Sequence, residues 1–153
     1  MGYTTEFRGE FTLDRPLSPV LLAYMASFAR IRHVKRDPAK LSDGHYYGEE
    51  CEFFCFQDYE THGQKIDGSI TDHNTPPSNQ PGLWCQWIPN EHGTAIVWDE
   101  GEKFYEYIEW LQYIIDKILI PDGYVLNGCV EYRGEEWSDH GEITVIDNVI
   151  RQE

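Results

Sequence analysis

The chain has 153 residues, 41% hydrophobic and 14% aromatic, which suits one domain with a packed core and excludes a wholly disordered chain. It carries 12 Lys/Arg against 27 Asp/Glu, a net charge of −15, and no apolar run near the ~20 residues of a membrane span. That balance argues against membrane association and against direct binding of nucleic acid.

The charge is unevenly placed. Residues 1–40 hold seven Lys/Arg and four Asp/Glu, a net of +3; residues 41–153 hold five Lys/Arg and 23 Asp/Glu, a net of −18. The acidic part is threaded with Trp, Tyr, Phe and Ile, so a folded surface and not a solvated tail carries those carboxylates. The first residues show no basic region followed by an apolar one, so no signal peptide is expected and a cytoplasmic location is. Met1-Gly2 fails as a myristoylation signal because Glu6 stands where Ser or Thr is needed.

Thr4–Leu13 alternates, with Phe7, Phe11 and Leu13 on one face and Glu6, Arg8, Glu10 and Thr12 on the other, as in a half-buried strand. Ser18-Pro19 opens a helix with the stripe Leu21, Tyr24, Met25, Phe28. That helix is expected to run into Arg30, Arg32, His33, Lys35 and Arg36, where cations suit the C-terminal dipole, and to stop at Asp37-Pro38.

Phe53–Gln57 reads as a strand. Cys51 and Cys55 would then stand ~13 Å apart, too far for a disulfide or a shared zinc, so reduced thiols are expected. Asp58–Gly82 reads as a long polar loop. Leu83–Ile88 and Thr94–Trp98 form a hairpin, Glu102–Leu119 the strongest helix, and Tyr124–Arg133 with Glu142–Ile146 a second hairpin, after which Asp147-Asn148 bends the chain. The order is β-α-β-loop-β-β-α-β-β. It predicts an α+β domain spanning 1–153, a mostly antiparallel sheet with two helices packed on one face.

The segments Gln80-Pro81-Gly82-Leu83-Trp84-Cys85-Gln86-Trp87, Gly93-Thr94-Ala95-Ile96-Val97-Trp98-Asp99 and Glu102-Lys103-Phe104-Tyr105 resemble a group of small uncharacterised bacterial and bacteriophage proteins. So do Leu126-Asn127-Gly128, Gly134-Glu135, Asp139, Gly141, Asp147-Asn148 and the opening Gly9-Glu10-Phe11. The resemblance covers roughly the last half of the chain. It implies a bacterial or phage origin and one domain, and it carries over no site.

Several chemistries lack their residues. There is no glycine-rich phosphate loop, no Gly-x-Ser-x-Gly elbow and no kinase signature. His62 and His73 flank Asp67 and Asp72, but the spacing matches no zinc site. No catalytic residue, metal or cofactor is assigned. The basic stretch Arg30–Lys40 lacks interleaved aromatics; it is expected to pair with the protein's own carboxylates, or with the acidic face of a second copy in a homodimer.

Two surfaces carry the functional expectation. Glu102, Glu106 and Glu109 on one helix face, with Glu135, Glu136 and Asp139 at a hairpin tip, form an acidic array. Tyr105, Trp110, Tyr113 and Trp137 form an aromatic patch. An acidic surface often serves only solubility. The sharper expectation is a non-enzymatic binding or inhibitory protein that engages a basic, nucleic-acid-binding partner, in its extreme form as a nucleic-acid mimic. The alternative is a small-ligand, nucleotide-like binder with a pocket under the 58–82 loop. An enzyme with an unrecognised site is the third reading.

Overall fold

The computed structural model describes residues 2–41, 45–55, 64 and 66–153. Strand β1 (Glu6–Leu13) lies inside a six-stranded sheet with β4 (Trp87–Pro89), β5 (Ala95–Trp98), β6 (Leu126–Arg133), β7 (His140–Ile146) and β8 (Val149–Gln152). The order is β4-β5-β1-β6-β7-β8, and every neighbouring pair is antiparallel. Helices α1 (Pro19–Phe28) and α2 (Tyr107–Tyr113) share one core with the inner face of this sheet. The α+β expectation holds. No helix among the described residues is long and apolar enough to cross a membrane.

Period-two alternation explains the sheet. Phe7 and Phe11 of β1, Leu126 and Val130 of β6, and Ile143 and Val145 of β7 are all buried on the inner face. Between them β1 and β6 approach closely. Gly9 (φ 112°) and Gly128 (φ 143°) take backbone angles that L side chains rarely adopt. A Cβ on Gly9 would stand 2.7 Å from the Cys129 carbonyl oxygen, and one on Gly128 would stand 2.6 Å from that of Glu10.

Helix α1 begins as expected, with the Ser18 hydroxyl accepting from the Leu21 N–H. It ends at Phe28, before the basic run, so Arg30–Arg36 do not complete the helix terminus. Instead Lys35-Arg36 form β2, which pairs with β3 (Ile70–Asp72) in a second, small sheet. Lys35 binds Glu50 at 3.3 Å and Arg36 binds Asp67 at 2.9 Å, so part of the basic run does pair internally. The segment expected to be one loop thus contains a strand. Its residues 58–63 and 65 lie outside the described residues.

Phe53–Cys55 is turn and irregular backbone, not the expected strand, because Cys51 (φ 61°) turns the chain there; Phe56 and Gln57 lie outside the described residues. Cys55, Cys85 and Cys129 are free thiols.

The largest correction concerns α2. Residues 102–106 are not helical: Lys103 (φ 59°) and Glu106 (φ 58°) are left-handed, as is Glu100 (φ 66°) just before. Glu106 is the N-cap. The chain spends these residues delivering Phe104 to the core, where it lies 5.3 Å from Trp87 and 5.8 Å from Phe7. After Tyr113 the helix widens to a π-helix over Ile114–Leu119. This has a packing reason. The buried residues come in pairs four apart: Trp110/Leu111, Ile114/Ile115, Ile118/Leu119. A step of four overshoots one turn of an α-helix and falls short of one turn of the wider coil. Changing coil midway keeps all three pairs buried.

Candidate functional site

The residues just before β1 tie the two acidic segments together. Tyr3 does the tying. Its backbone N–H donates to the Tyr105 hydroxyl at 3.0 Å, and its own hydroxyl donates to the Asp139 carboxylate at 2.7 Å. The Glu136 N–H donates back to the Tyr3 oxygen at 3.2 Å, and the Thr4 N–H donates to the Glu135 carboxylate at 3.1 Å. The tip itself is closed by Gly134 N–H to Asp139 C=O (2.7 Å) and Asp139 N–H to Glu136 C=O (2.9 Å).

Glu102, Glu106, Glu109, Glu135 and Glu136 are exposed, while Asp139 is half-buried. The carboxylates that sequence separates by about thirty residues are therefore gathered, but not along one helix face: a loop, a helix start and a hairpin tip supply them. Glu102 sits in the loop, where its carbonyl accepts from Gln86 Nε2 at 2.8 Å.

Proton affinity is raised at one of these carboxylates and at two nearby tyrosines. Partial burial pushes the Glu106 carboxyl up, and the neighbouring Glu109 pushes it the same way. Tyr107, at the start of α2, is pushed up to about 12, first by burial and then by the nearby Asp139 charge. The hydrogen bond to Asp139 raises Tyr3 as well.

The aromatic expectation divides. Trp137 is 79% exposed and Tyr105 is 52% exposed, and both lie at this acidic end. Trp110 (0%) and Tyr113 (5%) are buried and belong to no surface patch. They lie between α1 and α2, with Phe28 5.7 Å from Trp110 and 5.9 Å from Tyr113. Part of the 58–82 segment closes over them: Gln80 Nε2 donates to the Tyr113 hydroxyl (3.1 Å) and to the Glu52 carbonyl (2.7 Å), and Tyr113 donates to the Glu52 carboxylate (2.7 Å). The helix face that carries Trp110 and Tyr113 is covered by Phe28 of α1, and Gln80 bonds the Tyr113 hydroxyl.

A concave surface does occur, on the other side of the sheet. The outer face of β1, β6 and β7 holds a groove of about 650 Å³, lined by Glu6, Arg8, Glu131, Arg133 and Glu142 together with Trp137 and His140. The Trp137 and His140 rings stack at 6.3 Å, tilted by 22°, and the His140 Nδ1 lies 2.8 Å from the Trp137 carbonyl. Tyr3 and the β6–β7 part of this groove were absent from the sequence expectations. The alternation Glu131-Tyr132-Arg133 was the available signal, but only the register sets it against Glu142.

Among the described residues no group of three or more His, Cys, Asp or Glu could hold a metal ion. His62 lies outside the described residues. A scan against protein-family models, a search of curated proteins and a search of solved structures return no match to this chain.

Proposed function

We propose that this is a non-enzymatic binding protein whose acidic and aromatic end engages a basic protein partner. The observation that supports this reading is the Tyr3 bridge, which ties Tyr105, in the 102–109 segment, to Asp139 in the 135–139 tip, with Trp137 and Tyr105 both exposed. Like charges held together cost stability and create a field that steers cations. Covering a basic partner's surface would keep its other anionic ligands away, an inhibitory role. The mixed origin of the carboxylates favours a basic protein partner in general over a regular copy of phosphate spacing. The reading of a small ligand under the 58–82 segment gains no support, because Trp110 and Tyr113 are committed to the core.

The test is a pulldown at two salt concentrations with three proteins. The first is the wild type. The second carries E102K, E106K and E109K. The third is charge-matched, with E91K, D116K and D122K away from this end. A partner held at low salt should be lost at high salt and lost by the second protein, but kept by the third. Binding that ignores salt would overturn the electrostatic mechanism.

A further inference from the structure

The bare face of the sheet carries a charge pattern that its own residues do not complete. Strand register sets Glu6 opposite Arg133, and Arg133 opposite His140. In the next row Arg8 stands opposite Glu131, and Glu131 opposite Glu142. Glu142 in turn exchanges both backbone hydrogen bonds with Glu153 at 2.9 Å. Three carboxylate residues thus follow one another across neighbouring strands, with a single arginine at one end. Like charges directly opposite destabilise a sheet. Ion pairing does not relieve the row: among the described residues the ion pairs are Arg15–Asp14, Lys35–Glu50 and Arg36–Asp67, all elsewhere.

Next to the row, Trp137 presents one of the largest exposed apolar surfaces of the molecule. Guanidinium groups in this fold already sit over aromatic rings, Arg15 over Tyr124 at 4.1 Å and Arg36 over Phe54 at 4.6 Å. No cation of the chain is placed over Trp137 in this way among the described residues.

We infer that the outer-face groove receives an arginine of an extended basic segment, its guanidinium placed against Trp137 and the Glu131–Glu142 row. This rests on the proposed function and specifies which surface reads the partner. Arginine suits the site because it stacks on an aromatic ring and donates in a planar fork to carboxylates. A groove of about 650 Å³ lies within the usual range of ligand-sized clefts, roughly 300–1,000 Å³, so it holds more than one side chain. An anionic occupant is the poorer fit. The lining holds Glu6, Glu131 and Glu142 against Arg8 and Arg133, so an anion would lie beside more carboxylates than guanidiniums.

The probes are a hexa-arginine peptide and ADP, each titrated into the ¹⁵N-labelled protein while the indole N–H resonances are followed. Trp137→Phe identifies the Trp137 signal. Hexa-arginine should move that signal, and ADP should not. The double variant E131Q/E142Q should weaken hexa-arginine about tenfold, as should Trp137→Ala. A thermal melt of each variant confirms that it folds. Suppose hexa-arginine binding is unchanged in both groove variants but falls with E102K/E106K/E109K. The groove inference then fails while the proposed function stands. Binding weakened by neither set overturns both. Movement of the Trp137 signal by ADP overturns the cationic occupant.

Discussion

The two faces of this sheet are built from the same strands and have opposite outcomes. On the inner face Phe7, Phe11, Leu126, Val130, Ile143 and Val145 enter the core that the helices share, and Phe11, Leu126 and Ile143 lose all contact with water. On the outer face charges line up, and an indole is left 79% exposed. The inner face is finished by burial, whereas the outer face is left with carboxylates and an aromatic ring exposed. On the proposed reading of the outer face, stability and binding can be altered separately, even by changing adjacent residues of one strand.

The sharpest way to break that comparison is a pair of tryptophans. Trp110→Ala removes a fully buried side chain and should cost about 3–5 kcal/mol in denaturant unfolding. Trp137→Ala should stay within about 0.5 kcal/mol of wild type. A comparable loss at both would show that the outer face is packed after all.

The next effect is in pH. His33 is buried on the helix side, 4.3 Å from Phe28 and 5.2 Å from Trp110, with Nε2 2.8 Å from the Phe28 carbonyl. Burial pushes its pKa down from 6.5 to about 4. The folded state then binds the proton less readily than the unfolded chain. The contribution is present above pH 6.5 and is lost as pH falls toward 4, about 3 kcal/mol in all. Unfolding midpoints measured across that window should drop for the wild type, and His33→Phe should flatten the part of the slope that this residue supplies.

Tyr3→Phe probes the seam between the faces. It removes the hydroxyl that joins Asp139 and Glu136, and a loss of about 1 kcal/mol is expected in thermal melts. The smallest effect should have the opposite sign. E131Q/E142Q relieves the like-charge opposition and should raise stability by roughly 0.2–1 kcal/mol. A clear loss would mean that the row is internally compensated and that the outer face is as finished as the inner one.

Much of the fold was legible, for reasons visible in particular residues. Phe7, Phe11 and Leu13 against Glu6, Arg8 and Glu10 can only be a half-buried strand, and Ser18-Pro19 can hardly be anything but a helix start. The start of α2 was not legible. Phe104 continues the helical hydrophobic stripe, and nothing in Lys103 or Glu106 advertises a left-handed backbone, which glycine would have done. Strand β8 was hidden because Val-Ile-Arg-Gln is too short to show a period. The site was half legible. Its carboxylates and Trp137 stood out by composition, but their meeting through Tyr3 and the facing of Glu131 and Glu142 depend on register, which one sequence does not print.

The hairpin that ends the sheet has a consequence for amide exchange. Asp147 (φ 48°) and Asn148 (φ 70°) are both left-handed, as a two-residue type I′ turn requires, and they set Ile146 opposite Val149. Glu142 and Glu153 exchange both of their hydrogen bonds, which fixes the parity of the whole ladder. The amides of residues 149, 151 and 153 therefore point toward β7, while those of Ile150 and Gln152 point out from the sheet edge. In deuterated water this strand would label at every second position, fast at 150 and 152 and slow at their neighbours.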